Sequence, residues 1–409
     1  MLRTATRGSK SEDCVETVQL KNGARRGDRI NGKQLTRGFL ALSFLFVSQL
    51  FFKLTPAHAA EGRPAWQIEW EKTVEATKKE GQLVLYASEG YEEVFRDFSK
   101  KYPEIKVTLG IIYGAESTSR FLAERRAGKY LIDLYINGNT TAFQLHNAKT
   151  LNPLKPVLVL PEVVDQSKWW QGKHHYVDPL AEYIFSFNGQ ARVEVSYNTN
   201  LLNPKEIKSY WDFLNPKWKG KIVGFDPRHP TTGTTMRFLY YNPELGPKYI
   251  SRLLSEMEII YSRDARQITD WLSSGKFAVS MFASPDRLDL PEAKRQGLAV
   301  GWFDASSFKE GAALTAGPGG VALIDRALHS NAAKVGINWL LSREGQMAFQ
   351  NSTDRSNTAD SLRIDIPKDR ILPESRRVEG VKYIVTDRAD WMDMAPINKV
   401  VSEAMKAGK

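Results

Sequence analysis

Cysteine is almost missing from this chain. A single one, Cys14, stands among 409 residues, and it lies before the first long apolar run. Everything downstream therefore lacks a disulfide, a thiol nucleophile and a lipid-bearing cysteine. A core of a few hundred residues can hold a fold together without such links. Also absent are a P-loop, an H-E-x-x-H pair and a G-x-S-x-G elbow; Leu272-Ser-Ser-Gly275 does not make one. Paired carboxylates such as Glu92-Glu93 read as ordinary helix surface. No residue is assigned a catalytic role. There is no internal repeat, low-complexity tract or long flexible linker, and no extended basic block. The formal charge of +10 first suggests nucleic acid, but residues 1–59 hold 10 Lys/Arg against 4 Asp/Glu, which leaves +4 for the rest. Nucleic-acid binding thereby loses most of its support.

One long apolar run is present. Gly38–Phe52 spans 15 residues after Lys33 and Arg37, and Ala57-His58-Ala59 offers a small-x-small cleavage pattern. A run this short fits the core of a signal peptide better than a membrane span. The expectation is export, with a periplasmic mature chain from about Ala60 and a retained N-terminal anchor as the alternative. The 37-residue basic lead-in is unusually long, which leaves open a start codon further downstream. Arg25-Arg26 lies too far from the apolar run for a good twin-arginine signal.

Beyond residue 60, short apolar runs alternate with helix-period segments. The expected strands are 82–87, 106–112, 131–137, 191–197, 221–225, 277–282, 298–303 and 320–324. Helical patterns lie between them, such as Ile250/Leu253/Leu254/Met257, whose i, i+3, i+4, i+7 spacing lays one stripe against a sheet. Helices are also expected over 332–341 and 396–405. Such alternation, over a length that exceeds one ordinary core, predicts two α/β lobes with mixed, mainly parallel sheets.

The segments WEKTVEATKKEGQLVLYAS (70–88), FRDFSKKYPEIKVTLG (95–110), LAERRAGKYLIDL (122–134), VSYNTNLL (195–202), NPKWKGKIVGFDPR (215–228) and NAAKVGINWLLSREGQ (331–346) form an ordered series. That series resembles the periplasmic substrate-binding components of ABC importers, in the branch that includes ferric-iron-binding proteins. The resemblance implies a type II periplasmic-binding fold, with two lobes joined by crossing hinge strands and a solute cleft between them. Lobe 1 is expected over 60–192, lobe 2 over 193–297 and a return to lobe 1 over 298–352; residues 353–409 are expected to pack mainly on lobe 2. It further implies lobe closure on a small solute, delivery to an inner-membrane ABC permease, and a monomer. A sensor that presents its closed form to a membrane receptor is the alternative. Neither a cofactor nor a catalytic activity is implied; one enzymatic solution known on such folds uses a cysteine nucleophile.

Ligands in such sheets bind at the carboxyl ends of parallel strands. The polar turns there supply the candidate contacts: Ser88 and Gly90; Ser117 and Thr118; Asn137, Gly138 and Thr140; Arg228, Thr231, Thr232, Gly233 and Thr234; and Ser284. Each has a structural alternative. Ser88 and Ser117–Ser119 can cap helices, Asn137 can close a turn, and Arg228 can pair with Asp226. Unpaired N–H groups at helix starts favour an anion. The expected solute is therefore small, polar and anionic: a carboxylate, phosphate ester, phosphonate or ferric chelate.

No metal site is assigned. Ferric-binding members of the branch carry adjacent tyrosines just after the strand that corresponds to 277–282, where this chain has Met281-Phe282-Ala283-Ser284. Tyr240-Tyr241 falls inside a helix, where neighbouring side chains diverge by roughly 100°, so it reads as core packing. His174-His175-Tyr176 lacks a spaced third ligand. The tryptophans read as lobe packing, with sugar stacking by one of them as the alternative.

Overall fold

Among the described residues, fifteen short strands and the helices between them account for the alternation. The computed structural model describes residues 62–112, 114–352, 359–372 and 375–408, without the side chains of 114–117. The expected leader, 1–59, lies outside the described residues.

The first sheet contains β1 (Gln82–Ala87), β2 (Lys106–Ile111), β3 (Leu134–Asn137), β4 (Leu151–Asn152), β5 (His175–Tyr176), β6 (Ile184–Ser186) and β14 (Gly320–Ile324), in the order β2-β1-β3-β14-β6-β5 with β4 beside β14. A second sheet runs β10 (Ile260–Ser262), β9 (Ile222–Phe225), β11 (Val279–Met281), β8 (Val195–Asn198), β12 (Val300–Trp302). Between them a small third sheet orders β15 (Tyr383–Val385), β13 (Ala312–Thr315) and β7 (Gln190–Arg192). Its strands are the crossings that join the two lobes.

Parallel pairing is confined to β2-β1-β3, β10-β9-β11 and β13-β15. The remaining neighbours run antiparallel. The sheets are thus mixed, and the parallel share is smaller than the helix–strand alternation suggests. The reason is that β14, β6, β5 and β8 arrive through loops or crossings instead of through a helix on the sheet face.

Helix Gly246–Glu256 buries Tyr249, Ile250, Leu253 and Leu254 in the second-lobe core, as the 3.6-residue stripe requires. Each such side chain contributes about 1.5–3 kcal/mol on burial. In the first lobe, helices Tyr91–Lys101 and Ser330–Leu341 cover one face, where the Trp339 ring meets Phe95 at 5.5 Å and Phe98 at 5.4 Å. Helices Gly114–Arg126 and Asn139–Asn147 belong to the opposite face.

Beyond strand ends that move by a few residues, three boundaries differ from expectation. The run 191–197 is two strands: it bends at Val193-Glu194, so β7 pairs in the crossing sheet and β8 in the second lobe. The segment beginning at 298 does not return directly to the first lobe, because β12 still pairs with β8. And residues 359–377 do not pack mainly on lobe 2. Arg363 bridges to Trp169, and Ser361 to Asn188, on the first lobe; the second-lobe contacts come later in the chain, from Val381, Tyr383 and Ile384, from Trp391 on Tyr241, and from the final helix, Ala395–Ala407, against helix Gly246–Glu256.

Candidate functional site

The carboxyl ends of β1, β2, β3, β9 and β11 carry the polar turns singled out above. Their donors fall into two groups: those spent inside the protein and those left at helix starts.

On the first lobe, Ser88 donates its amide to the Ile136 carbonyl (3.4 Å) and is half-buried. Gly90 has φ +86°, and its amide donates to the Glu92 carboxylate (3.1 Å), so it shapes the turn into helix Tyr91–Lys101. The side chain of Ser117 lies outside the described residues. Thr118 donates to Gln144 Oε1 (2.7 Å) and ties helix Gly114–Arg126 to helix Asn139–Asn147. Asn137 uses both ends of its amide, Nδ2 to the Ile112 carbonyl (3.1 Å) and Oδ1 from Gly138 N–H (2.8 Å). Gly138 is the N-cap of helix Asn139–Asn147, which has no side-chain cap. Thr140 is exposed in its first turn, with Oγ1 4.0 Å from Met392 Sδ.

On the second lobe, Arg228 forks onto Asp226 through Nε (2.9 Å) and Nη2 (2.8 Å), and Arg263 shares the same carboxylate (3.0 Å). Thr232 is buried and donates to the carbonyls of Pro227 (2.9 Å) and His229 (2.8 Å). Thr231 is exposed, with its hydroxyl 2.9 Å from His229 Nδ1. Gly233 and Thr234 are half-exposed and open helix Gly233–Tyr241, which continues the turn Pro230–Thr232; His229 caps that turn by accepting from Thr231 N–H (3.3 Å), and Gly233 N–H donates to the Pro230 carbonyl. Ser284 is buried and accepts from Arg287 N–H (3.3 Å), closing a turn after β11. Phe282 and Ala283 beside it are buried, with Phe282 at φ +68°.

Two arginines on one carboxylate explain the acidity of Asp226. Hydrogen bonding from Arg228 leads, and its carboxyl is held down to about 2 from the ordinary 3.8. A depressed carboxyl contributes stability that is full above the unfolded value and is lost as pH falls through the folded one. Asp226→Asn is therefore expected to flatten the stability profile between pH 4 and pH 2. The increment removed is roughly 1–2 kcal/mol, discounted from 1.36 kcal/mol per pH unit because both guanidinium groups are more than half exposed and screened. Urea unfolding at pH 2, 3, 4 and 6 reads it directly; identical profiles for variant and parent would refute this assignment.

The floor between the two helix starts was not legible in the sequence. Asp387, at the end of the crossing strand β15, accepts from Ala316 N–H (2.6 Å), Thr315 Oγ1 (3.1 Å) and Asn139 Nδ2 (3.4 Å). Its other oxygen lies 3.6 Å from Arg237 Nη2. Asn139 opens the first-lobe helix and Arg237 sits one turn into the second-lobe helix, so both helix starts converge on one carboxylate. Thr235 donates to the buried Glu194, which Arg192 approaches at 2.8 Å. A cavity of about 430 Å3 borders this floor, lined among others by Ser186, Asn188, Thr315, Asp387 and Arg388. Residues so far apart in the chain leave no common local pattern.

The suspected metal features pack instead. His174 and His175 place Nε2 on the carbonyls of Val163 (2.9 Å) and Trp170 (3.0 Å), and burial pushes His175 down to about 4. The Tyr241 ring stacks on Trp391 at 4.6 Å and 8°. Among the described residues, no group of three or more His, Cys, Asp or Glu is placed to hold a metal ion, and no helix is long and apolar enough to cross a membrane.

A family model described as bacterial extracellular solute-binding protein matches residues 86–347. Among solved structures, the chain is similar to the Trichodesmium protein IdiA (FutA) in complex with iron and citrate ligands, at 18% identity and a TM-score of 0.59, over 80% of this chain and 98% of that one. It is similar to AfuA from Actinobacillus pleuropneumoniae with exogenous fructose-6-phosphate bound, at 18% identity and 0.54, over 80% and 98%. A substrate-binding protein of an ABC transporter from Agrobacterium tumefaciens aligns at 14% identity and 0.52, over 80% and 95%. At these identities the likeness establishes the fold.

Proposed function

The chain belongs to the bacterial extracellular solute-binding protein family, and from that membership we propose that it captures a small anionic solute between its lobes and delivers it to an ABC permease. The observation that carries the charge preference is the convergence of two helix starts on the hinge floor: Asn139, which has no side-chain cap, and the turn Pro230–Thr232 that runs on into helix Gly233–Tyr241. Each brings the positive end of a helix dipole, one from each lobe. A solute that touches both favours the closed arrangement over the open one, which is how binding becomes closure. The protein acts as a monomer in the periplasm and carries out no chemistry on its solute. Carboxylate and phosphate groups both suit the site, in keeping with the citrate and sugar phosphate held by similar proteins.

Thermal unfolding of the purified protein with citrate, ferric citrate, inorganic phosphate, fructose 6-phosphate and neutral sugars tests this. A true ligand at ~100 times its Kd adds about 2.7 kcal/mol of apparent stability. The expected result is a shift with at least one anion and none with the neutral sugars. Shifts with neutral sugars or polyols alone would overturn the charge preference.

A further inference from the structure

Arg237 is a buried cation that its surroundings do not satisfy. Its side chain is 6% exposed, and its Nε has no hydrogen-bond partner among the described residues. The 3.6 Å contact with Asp387 is beyond hydrogen-bonding range. A desolvated guanidinium in that position costs several kcal/mol unless something else pairs with it. Asp387 does not share the deficit, since Ala316, Thr315 and Asn139 all donate to it. Glu194, the other buried carboxylate on this floor, is engaged by Thr235 and Arg192.

Helical side chains lean towards the N-terminus of their helix, and Arg237 does so: Nη1 lies 3.8 Å from where a Cβ on Gly233 would stand. The guanidinium therefore lies back over the first turn of helix Gly233–Tyr241, and the glycine leaves the approach open. Planar donors of this kind recognise carboxylate or phosphate oxygens in pairs.

Building on the anion-capture reading, we propose that Arg237 is the specificity-determining cation for the solute's carboxylate or phosphate group. Asp387 is its resident counter-ion, loosely held so that an arriving anion can take its place. Binding then joins the first turn of the second-lobe helix to the solute, while Asp387 stays anchored to the crossing strands and to Asn139.

The test is titration calorimetry of wild type, Arg237→Met, Arg237→Lys and Asp387→Asn with citrate, inorganic phosphate and fructose 6-phosphate. For whichever probe binds wild type, R237M is expected to weaken binding about 100-fold, and R237K about 10-fold because the charge remains and the fork is lost. D387N should tighten binding several-fold, since it releases the guanidinium. Binding by R237M within three-fold of wild type overturns the inference and leaves anion capture standing. Weakening by D387N to the extent of R237M overturns it as well, because that pattern belongs to a purely structural hinge pair. If R237M does not fold, R237K and D387N still decide by their opposite signs. If no anionic probe binds wild type, the anion reading itself fails and this inference falls with it.

Discussion

Arg363→Ala is expected to lower the free energy of unfolding by about 2–5 kcal/mol, the range for truncating a large buried side chain to alanine. Arg363 is fully buried. Its guanidinium forks onto Asp365 at 2.8 and 2.7 Å, donates Nη1 to the Leu341 carbonyl at 3.0 Å and lies 5.6 Å from the Trp169 ring. Truncation removes all of these contacts and opens a void beside the largest side chain in that part of the core. Lysine does not rescue the site, because a point charge cannot serve both carboxylate oxygens and a carbonyl at once. The location magnifies the effect. Residues 359–366 are bridged to the first lobe at Trp169–Arg363 and Asn188–Ser361, directly before the crossing strand β7. Urea unfolding reads the change as a lowered midpoint; a loss below 1 kcal/mol would show that this clamp is ornamental.

That clamp also shows where the sequence stops being informative. The strands β1 and β14 are legible to the residue, because both are unbroken apolar runs between turn signals and one face or both must be buried. The strands β5 and β6 are short, and β13 is alanine-rich and shows no alternation, so periodicity has nothing to register. The bend at Val193-Glu194 carries neither glycine nor proline, which is why β7 and β8 read as one strand. It is made by tertiary contacts: the Phe282 amide donates to the Glu194 carbonyl (3.0 Å), and Thr235 to its carboxylate.

The candidate site divides in the same way. Turn composition marks the loops that follow the strands, since polar residues after a strand are visible locally. It could not say which hydroxyls and amides turn inward, as those of Thr232 and Asn137 do. Nor could it find Arg237 and Asp387, which only the fold of the crossing sheet brings together.

The sharpest separation of stability from binding comes at Thr234. Thr234→Asp is expected to stabilise the protein slightly while weakening anion binding about 100-fold. Thr234 is half-exposed in the first turn of helix Gly233–Tyr241, whose N-cap supplies no side-chain acceptor. A carboxylate there meets the positive end of the dipole and gains about 0.3–1 kcal/mol. A solute anion that approaches the same N–H groups now meets a like charge. At ~4 Å and an effective dielectric constant of ~20, the repulsion is about 4 kcal/mol. Side-chain movement towards solvent reduces this to roughly 2.7 kcal/mol, or two decades in Kd. Thr234→Asn carries the same shape without charge and should bind within a few-fold of wild type. Melting temperature and Kd are measured on the same samples, so a damaged fold cannot pass for a repelled ligand. If T234D binds citrate, phosphate or fructose 6-phosphate as tightly as T234N does, the solute's charge is not held at this helix. The second-lobe half of the proposed site would then have to be abandoned.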